Sequence, residues 1–377
     1  MGPKQTQSAS KTTRGRWRIK TILFLIIGIV VYGGIMYVLF WTRLLGTEYR
    51  SLYTSEIKKE EQKPARPALD IADYDKRMNI LAHIKVSPAT STASTTVAVA
   101  STTPKLWPAT AVRPLGGALL PFNRILAYYG NFYSRQMGIL GEFEPNEVLE
   151  KLKTEQARWE LADPSTPVLP AIEYIAVTAQ GSAGDDGKYR LRMPSSQIDQ
   201  AIDMAEKING IVILDLQVGL STLQAEVPLL EKYLKMPQVH LAVDPEFDMK
   251  TGAKPGTVIG TVDASDINYV SNYLASLVKE YDLPPKILIV HRFTQAMVTN
   301  YKNIQTLPEV QIVMDMDGWG GPSMKERSYI DYIYDEPVQF TGIKLFYKND
   351  LKNGSSGLMT PREVMDLMPR PIYIQYQ

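Results

Sequence analysis

The amino-acid sequence predicts an α/β protein: a (β/α)8 barrel of the TIM type, preceded by one N-terminal transmembrane helix and a low-complexity linker. Three observations predict it. An uncharged apolar run near the N-terminus reaches the ~20 residues that span a bilayer. A stretch rich in Ser, Thr, Ala and Pro follows it. From about residue 121, short apolar, β-branched and aromatic runs alternate with helical patterns, the rhythm of βα units around a parallel sheet.

The first segment, residues 1–20, is a basic tail carrying Lys11, Arg14, Arg16, Arg18 and Lys20. Residues 21–42, which contain "TILFLIIGIVVYGGIMYVLFW", read as a signal anchor. The run is longer than the ~7–15 apolar residues of a cleaved signal peptide, and Tyr32, Tyr37 and Trp41 supply interfacial aromatic weight at its far end. Only Arg43 follows closely on the other side, so the positive-inside rule puts the N-terminus in the cytoplasm and the barrel outside it. The lipid bilayer is thus an expected partner, through residues 21–42. Residues 43–86 form a charged juxtamembrane segment in which "LDIADYDKRMNILAHI" reads as one short amphipathic helix. Residues 87–120 read as a solvated tether, because "SPATSTASTTVAVASTTPKLWPATAV" has too little apolar area to offset its ordering entropy.

The barrel domain is expected over 121–377, with strands at 124–132, 171–179, 210–219, 239–247, 286–294, 310–318, 341–348 and 371–377. Helices are expected at 146–161, 195–208, 222–234, 264–281, 294–304 and 360–368; Thr360, Pro361 and Glu363 have the order of a helix start. Within this sequence the pattern stops on strand eight without an eighth helix. The gap falls to the helix near 68–83 or to "GGALLPFN", or the sheet is open.

Composition removes several functions. A charged fraction of 21% with net charge +1 gives no general attraction to nucleic acid. The absence of cysteine excludes disulfides, thiolate metal sites and a cysteine nucleophile. With 3 His in the chain, a zinc site of several imidazoles is not expected. No G-x-S-x-G elbow and no Gly-rich phosphate loop occurs.

Barrel enzymes build their sites at the C-terminal ends of several strands. Those ends carry Tyr129, Asn131, Asp215, Gln217, Asp244, Glu246, His291, Asp315, Asp317, Trp319, Lys344, Tyr347 and Gln375, with Glu173 inside the second strand. Acids and amides recur two apart in "LDLQ", "VDPE" and "MDMD", and two apart on a strand means one face. Carboxylates that share a partly desolvated cleft push their pKa values apart, giving one proton donor and one charged partner. Glu246, Asp244 and Asp215 are the catalytic candidates, and the other residues are substrate-binding candidates.

The D-x-E formed by Asp244 and Glu246 resembles the acidic signature of barrel glycoside hydrolases, the chitinase type and the barrel-fold lysozymes. The resemblance implies that Glu246 is the proton donor and Asp244 its partner at the substrate. Ala242 stands where the chitinase run has its first Asp. "PAIEYIAV", "LDLQVG", "DPEF" and "VHRFTQAMV" resemble extracellular barrel proteins of unassigned function. The expected function is a membrane-anchored, extracytoplasmic glycoside hydrolase-like barrel acting on cell-envelope or extracellular polysaccharide, with no cofactor and an oligomeric state left open. Two alternatives stand beside it: a barrel that binds glycan or an envelope protein without cleaving it, and a hydrolase holding a divalent cation between His291 and the acids Asp215, Asp244, Glu246 and Asp315.

Overall fold

The computed structural model describes residues 30–44, 66–84 and 105–377, in two compact units, Met1–Ala65 and Arg66–Gln377. In the first unit, residues 30–44 are helical, and Val30, Ile35, Phe40 and Trp41 are exposed. The basic tail, the first part of the expected anchor and residues 87–104 of the expected linker lie outside the described residues. Among the described residues no helix is long and apolar enough to cross a membrane.

In the second unit, eight parallel strands are found among the described residues: β1 (Arg124–Gly130), β2 (Val168–Ala179), β3 (Ile211–Leu216), β4 (Val239–Val243), β5 (Lys286–Arg292), β6 (Val310–Met316), β7 (Phe340–Leu345) and β8 (Tyr373–Tyr376). Each pairs with the next, and β1 pairs with both β2 and β8, so the sheet closes. A closed sheet buries both faces of its strands, which explains why these segments read as nearly continuous Val/Ile/Leu runs. Outward positions such as Leu126, Ile172, Leu214, Leu241, Leu288, Ile312, Ile343 and Ile374 form one apolar cluster with helix residues Leu152, Ile198 and Leu274. Inward positions form a second cluster, which includes Ile125, Ala171, Ile213, Ala242, Ile289, Val313, Phe340 and Tyr373.

Among the described residues of this unit the α-helices longer than four residues are α1 (Ile71–Leu81), α2 (Pro145–Ala162), α3 (Ser195–Glu206), α4 (Ala264–Glu280), α5 (Pro322–Tyr329) and α6 (Pro361–Asp366). Helix α4 begins with a capping box between Asp263 and Asp266, and α6 with one between Thr360 and Glu363. Two expected helices are not continuous. Residues 222–234 start on the Thr222 cap but pass into a 3-10 turn at Val227–Leu230, where Pro228 has no N–H to donate. Residues 294–304 form no α-helix: Val298–Thr299 pair with Val262–Asp263, and Asn300 adopts a left-handed conformation with φ 56°. Asp263 accepts from Thr299 Oγ1 at 2.8 Å, which holds this crossover extended.

The segments assigned from sequence to the missing helix position instead seal the floor of the barrel. Tyr74 and Met78 of α1 pack with Leu120 against the inward apolar cluster. Gln311 Oε1 accepts from Leu119 N at 3.0 Å, and Gln311 Nε2 donates to the Leu120 carbonyl at 2.6 Å. The compact unit begins at Arg66, well before the boundary drawn at 121. Residues 105–120 lie on it: Trp107 is buried and its Nε1 donates to the Tyr334 carbonyl at 2.9 Å, and Leu115 N donates to Pro308 O at 2.8 Å. One Trp and several Leu in a Ser/Thr-rich stretch are enough to dock it.

Met78 therefore acts as a core residue of a sheet to which it does not belong. Truncation to Ala is expected to cost about 2–4 kcal/mol, measured as a lower denaturation midpoint at unchanged m-value; an unchanged midpoint would show that α1 is not part of the barrel's core.

Candidate functional site

The inward face divides in two along the barrel axis. Its lower part is apolar, and its upper part carries Tyr129 (β1), Glu173 (β2), Asp215 (β3), His291 (β5), Asp315 (β6), Lys344 (β7) and Gln375 (β8), all buried. The residues that follow β3, β4 and β6, namely Gln217, Asp244 and Asp317, are buried too. Above them lies a cleft of about 580 Å³, lined by Tyr129, Gln217, Asp244, Glu246, Asp317 and Lys344 together with the apolar side chains of Phe247, Phe293, Trp319, Met324 and Phe346.

The carboxyls of "DPEF" reach this cleft by a route other than strand alternation. Strand β4 ends at Val243, and Asp244 caps a 3-10 turn over Pro245–Phe247, its Oδ1 accepting from Glu246 N at 3.1 Å. Its Oδ2 accepts from Gln217 Nε2 at 3.2 Å. Gln217 also donates to Tyr129 Oη at 3.2 Å, and Tyr129 in turn donates to Asp215 Oδ2 at 3.1 Å. Asp244 is thus anchored on both oxygens, whereas Glu246 projects from the turn into the cleft.

Charge is unevenly supplied. Two basic side chains, His291 and Lys344, stand among the six carboxyls Glu173, Asp215, Asp244, Glu246, Asp315 and Asp317. Burial, then the Asp317 charge, push the Glu246 carboxyl up to about 7. Burial and the Asp215 charge hold Asp244 well above the ordinary range. Asp215 and Asp315 rise to about 6, chiefly through burial. For His291 burial acts to lower the value, but the neighbouring Asp315, Glu173 and Asp317 carboxyls outweigh it and the value is raised. Lys344 Nζ meets Asp317 Oδ1 at 3.2 Å and lies 3.8 Å from the Tyr129 ring centre, where charge and π-face both favour the ammonium.

Several site residues read from the sequence hold other positions. Glu173, Asp215, His291, Asp315 and Gln375 do not line the cleft; they lie fully buried in the barrel lumen. Asp215, read from the sequence as catalytic, lies beneath the cleft with its Oδ2 held by Tyr129, which does line it. Asn131 is a loop brace: Nδ2 donates to Ile175 O at 3.1 Å and Oδ1 accepts from Tyr133 N at 2.9 Å. Tyr347 falls outside the lumen, stacked on Tyr376 with ring centres 5.0 Å apart and its hydroxyl 3.1 Å from that of Tyr128. The loop after β2 returns as a short strand, Arg190–Arg192, antiparallel to β2 and clamped by Glu226, which accepts from Arg190 Nε at 2.8 Å and Arg192 Nε at 2.7 Å. Phe293 and Phe346 were missed, although each continues the inward alternation of its strand, two residues past His291 and Lys344.

No family model matches this chain and no curated protein matches it. Solved structures similar to it include the cellulase Cel5C_n, with a TM-score of 0.40 and 11% identity over 70% of this chain and 79% of that one. A ruminal GH26 endo-beta-1,4-mannanase gives 0.34 and 10% over 68% and 59%. Thermotoga maritima Cel5A, in a mutant form with cellobiose, gives 0.37 and 10% over 68% and 88%. At such scores the likeness bears no weight for function, and the fold rests on the closed sheet described above. Fold and site together define a (β/α)8 barrel with an acidic mouth rimmed by aromatic side chains.

One backbone position holds the upper lumen together. A Cβ on Gly342 would meet Asp315 Oδ1 at 2.5 Å and Tyr373 Cδ1 at 2.6 Å, and both side chains are fully buried. Gly342→Ala is expected to destabilise the fold by about 1–3 kcal/mol through overpacking, read as a lower midpoint in a denaturant titration; a neutral effect would show that Asp315 can move freely.

Proposed function

We propose that this protein cleaves glycosidic bonds in polysaccharide by carboxyl general acid catalysis, with Glu246 as the proton donor. The observation that carries this reading is a carboxyl with a value near neutrality, placed on the wall of a cleft rimmed by Trp319, Phe247, Phe293 and Phe346. Flat apolar rings match the faces of sugars, and an acid that stays protonated near pH 7 can protonate a leaving oxygen. Asp317, ion-paired to Lys344, supplies the negative charge opposite the developing oxocarbenium centre. Glu246 gives its proton to the glycosidic oxygen as the C–O bond breaks, and water then adds its hydroxyl to the sugar and restores a proton to the enzyme. Asp244 is a positioning residue in this scheme: it fixes the Glu246 amide and is itself tied to Gln217.

We further propose that the barrel is held at a membrane with its mouth outside the cytoplasm and that its substrate is cell-envelope or extracellular polysaccharide. The basic tail followed by the apolar run at residues 21–41 supports this. So does the exposed apolar surface of the helix at residues 30–44.

Hydrolysis is tested with the full chain in detergent on a panel of envelope and plain polysaccharides. Glu246→Gln is expected to lower turnover at least 100-fold, the scale of lost general acid catalysis, while glycan affinity is kept. A carboxyl raised by the fold works only below its folded value, so kcat should fall as pH rises through about 7. Equal cleavage by wild type and Glu246→Gln would refute the assignment. Anchoring is tested separately: the full chain should stay with the membrane pellet through a carbonate wash, and deletion of residues 21–42 should release it.

A further inference from the structure

Below the cleft floor, three buried side chains from different strands each leave one atom unpartnered. Glu173 Oε1, Asp215 Oδ1 and His291 Nε2 have no hydrogen-bond partner, and all three residues are fully buried. The Nε2 atom lies 3.3 Å from Glu173 Oε1 and 3.9 Å from Asp215 Oδ1. Donor atoms of the three residues all lie within 4.8 Å of one another.

The other atom of each group is committed elsewhere. Glu173 Oε2 accepts from the Tyr373 hydroxyl, Asp215 Oδ2 from the Tyr129 hydroxyl at 3.1 Å, and His291 Nδ1 stands 3.0 Å from Asp315 Oδ2. This is the arrangement expected around a metal ion. An outer partner fixes each ligand's orientation, and the carboxylate on the far nitrogen sets the imidazole tautomer with its free nitrogen facing the ion. A buried donor with nothing to bind costs about 1–3 kcal/mol, so three such atoms converging on one point favour a common partner.

We propose that Glu173, Asp215 and His291 bind one divalent first-row transition-metal ion beneath the floor of the cleft. Bonds of about 2.0–2.2 Å place neighbouring donors about 3–3.5 Å apart, so shifts of about an ångström close the triangle. Two carboxylates and a neutral imidazole cancel the charge of a divalent ion. One nitrogen with two oxygens suits Mn²⁺ or Zn²⁺, whereas Ca²⁺ takes 6–8 oxygens, more than these side chains supply. The three ligands do not line the cleft, whose wall here includes Tyr129 and Lys344, so the ion is a resident part of the scaffold rather than a substrate ligand. It would reach the cleft through Asp215, Tyr129 and Gln217, which leads to Asp244. The site is independent of the glycan-cleavage reading, because its ligands differ from Glu246 and Asp317.

The test is calorimetric titration of the full chain in detergent, stripped by a chelator, with Mn²⁺, Zn²⁺ and Ca²⁺ chlorides, alongside thermal melts. One equivalent of Mn²⁺ or Zn²⁺ is expected to bind and raise the melting temperature, with Ca²⁺ at least 100-fold weaker. Glu173→Gln and His291→Gln should lose that equivalent, Asp315→Asn should weaken it about 10–100-fold, and Glu246→Gln should keep it. Stripped wild type that takes up no ion and shows both His291 ring nitrogens protonated by NMR overturns the proposal: the acids would then hold an imidazolium. Retention of the equivalent in Glu173→Gln, or Ca²⁺ binding as tight as Mn²⁺, overturns it as well. Loss of glycan cleavage in Glu246→Gln leaves these readings untouched, so the two proposals fail separately.

Discussion

Closing eight parallel strands into a barrel forces every second side chain into a lumen that water does not fill, and the rest of this structure follows from what is placed there. The lower lumen meets the constraint with Ile, Ala, Val and Phe side chains. The upper lumen meets it with ionisable groups, which are costly to bury unless each finds a partner. Tyr129, Tyr373 and Gln217 are the donors that make the burial tolerable, and Lys344 and His291 are the basic groups among the acids. The floor answers the same constraint from below: without α1 and Leu120, the apolar layer would open to solvent at the N-terminal end of the strands.

The same burial connects stability to chemistry. A carboxyl in a surplus of negative charge and little solvent holds its proton to higher pH. Glu246 sits at the boundary, close enough to Asp317 and the lumen to be raised, yet on a turn that presents it to the cleft. Asp244 lies one step deeper and is bound on both oxygens, so it serves as a fixture. Two carboxyls separated by one proline therefore have different surroundings because the chain turns between them. The run is a buried strand that ends at Val243 and a capped turn that aims the second acid.

Much of this was legible in the sequence. The order of the strands, the inward set Tyr129, Glu173, Asp215, His291, Asp315 and Lys344, and the Thr360 cap follow from local patterns: the two-residue period, β-branched runs and capping chemistry act over a few residues. Tyr347 lies outside the lumen because it keeps the outward parity of Ile343 and Leu345, opposite Lys344 and Phe346. The 294–304 segment has helical composition, yet pairing with Val262–Asp263 and the Asp263 carboxylate outweighed propensity. Residues 105–120 look like a tether by composition, and only the Tyr334 carbonyl and the open barrel floor give Trp107 and Leu120 somewhere to bury.

The sequence by itself determined that the chain makes a (β/α)8 barrel with acids, amides and rings near its strand ends, since periodicity and hydrophobic pattern are properties of neighbours along the chain. The tertiary structure decided which of those acids share a cleft and which lie beneath it. Depth in the lumen depends on strand register and stagger, which bring Glu173, Asp215 and His291 together from three strands up to 118 residues apart. Such contacts are set by closure of the whole sheet, and no window of sequence contains them.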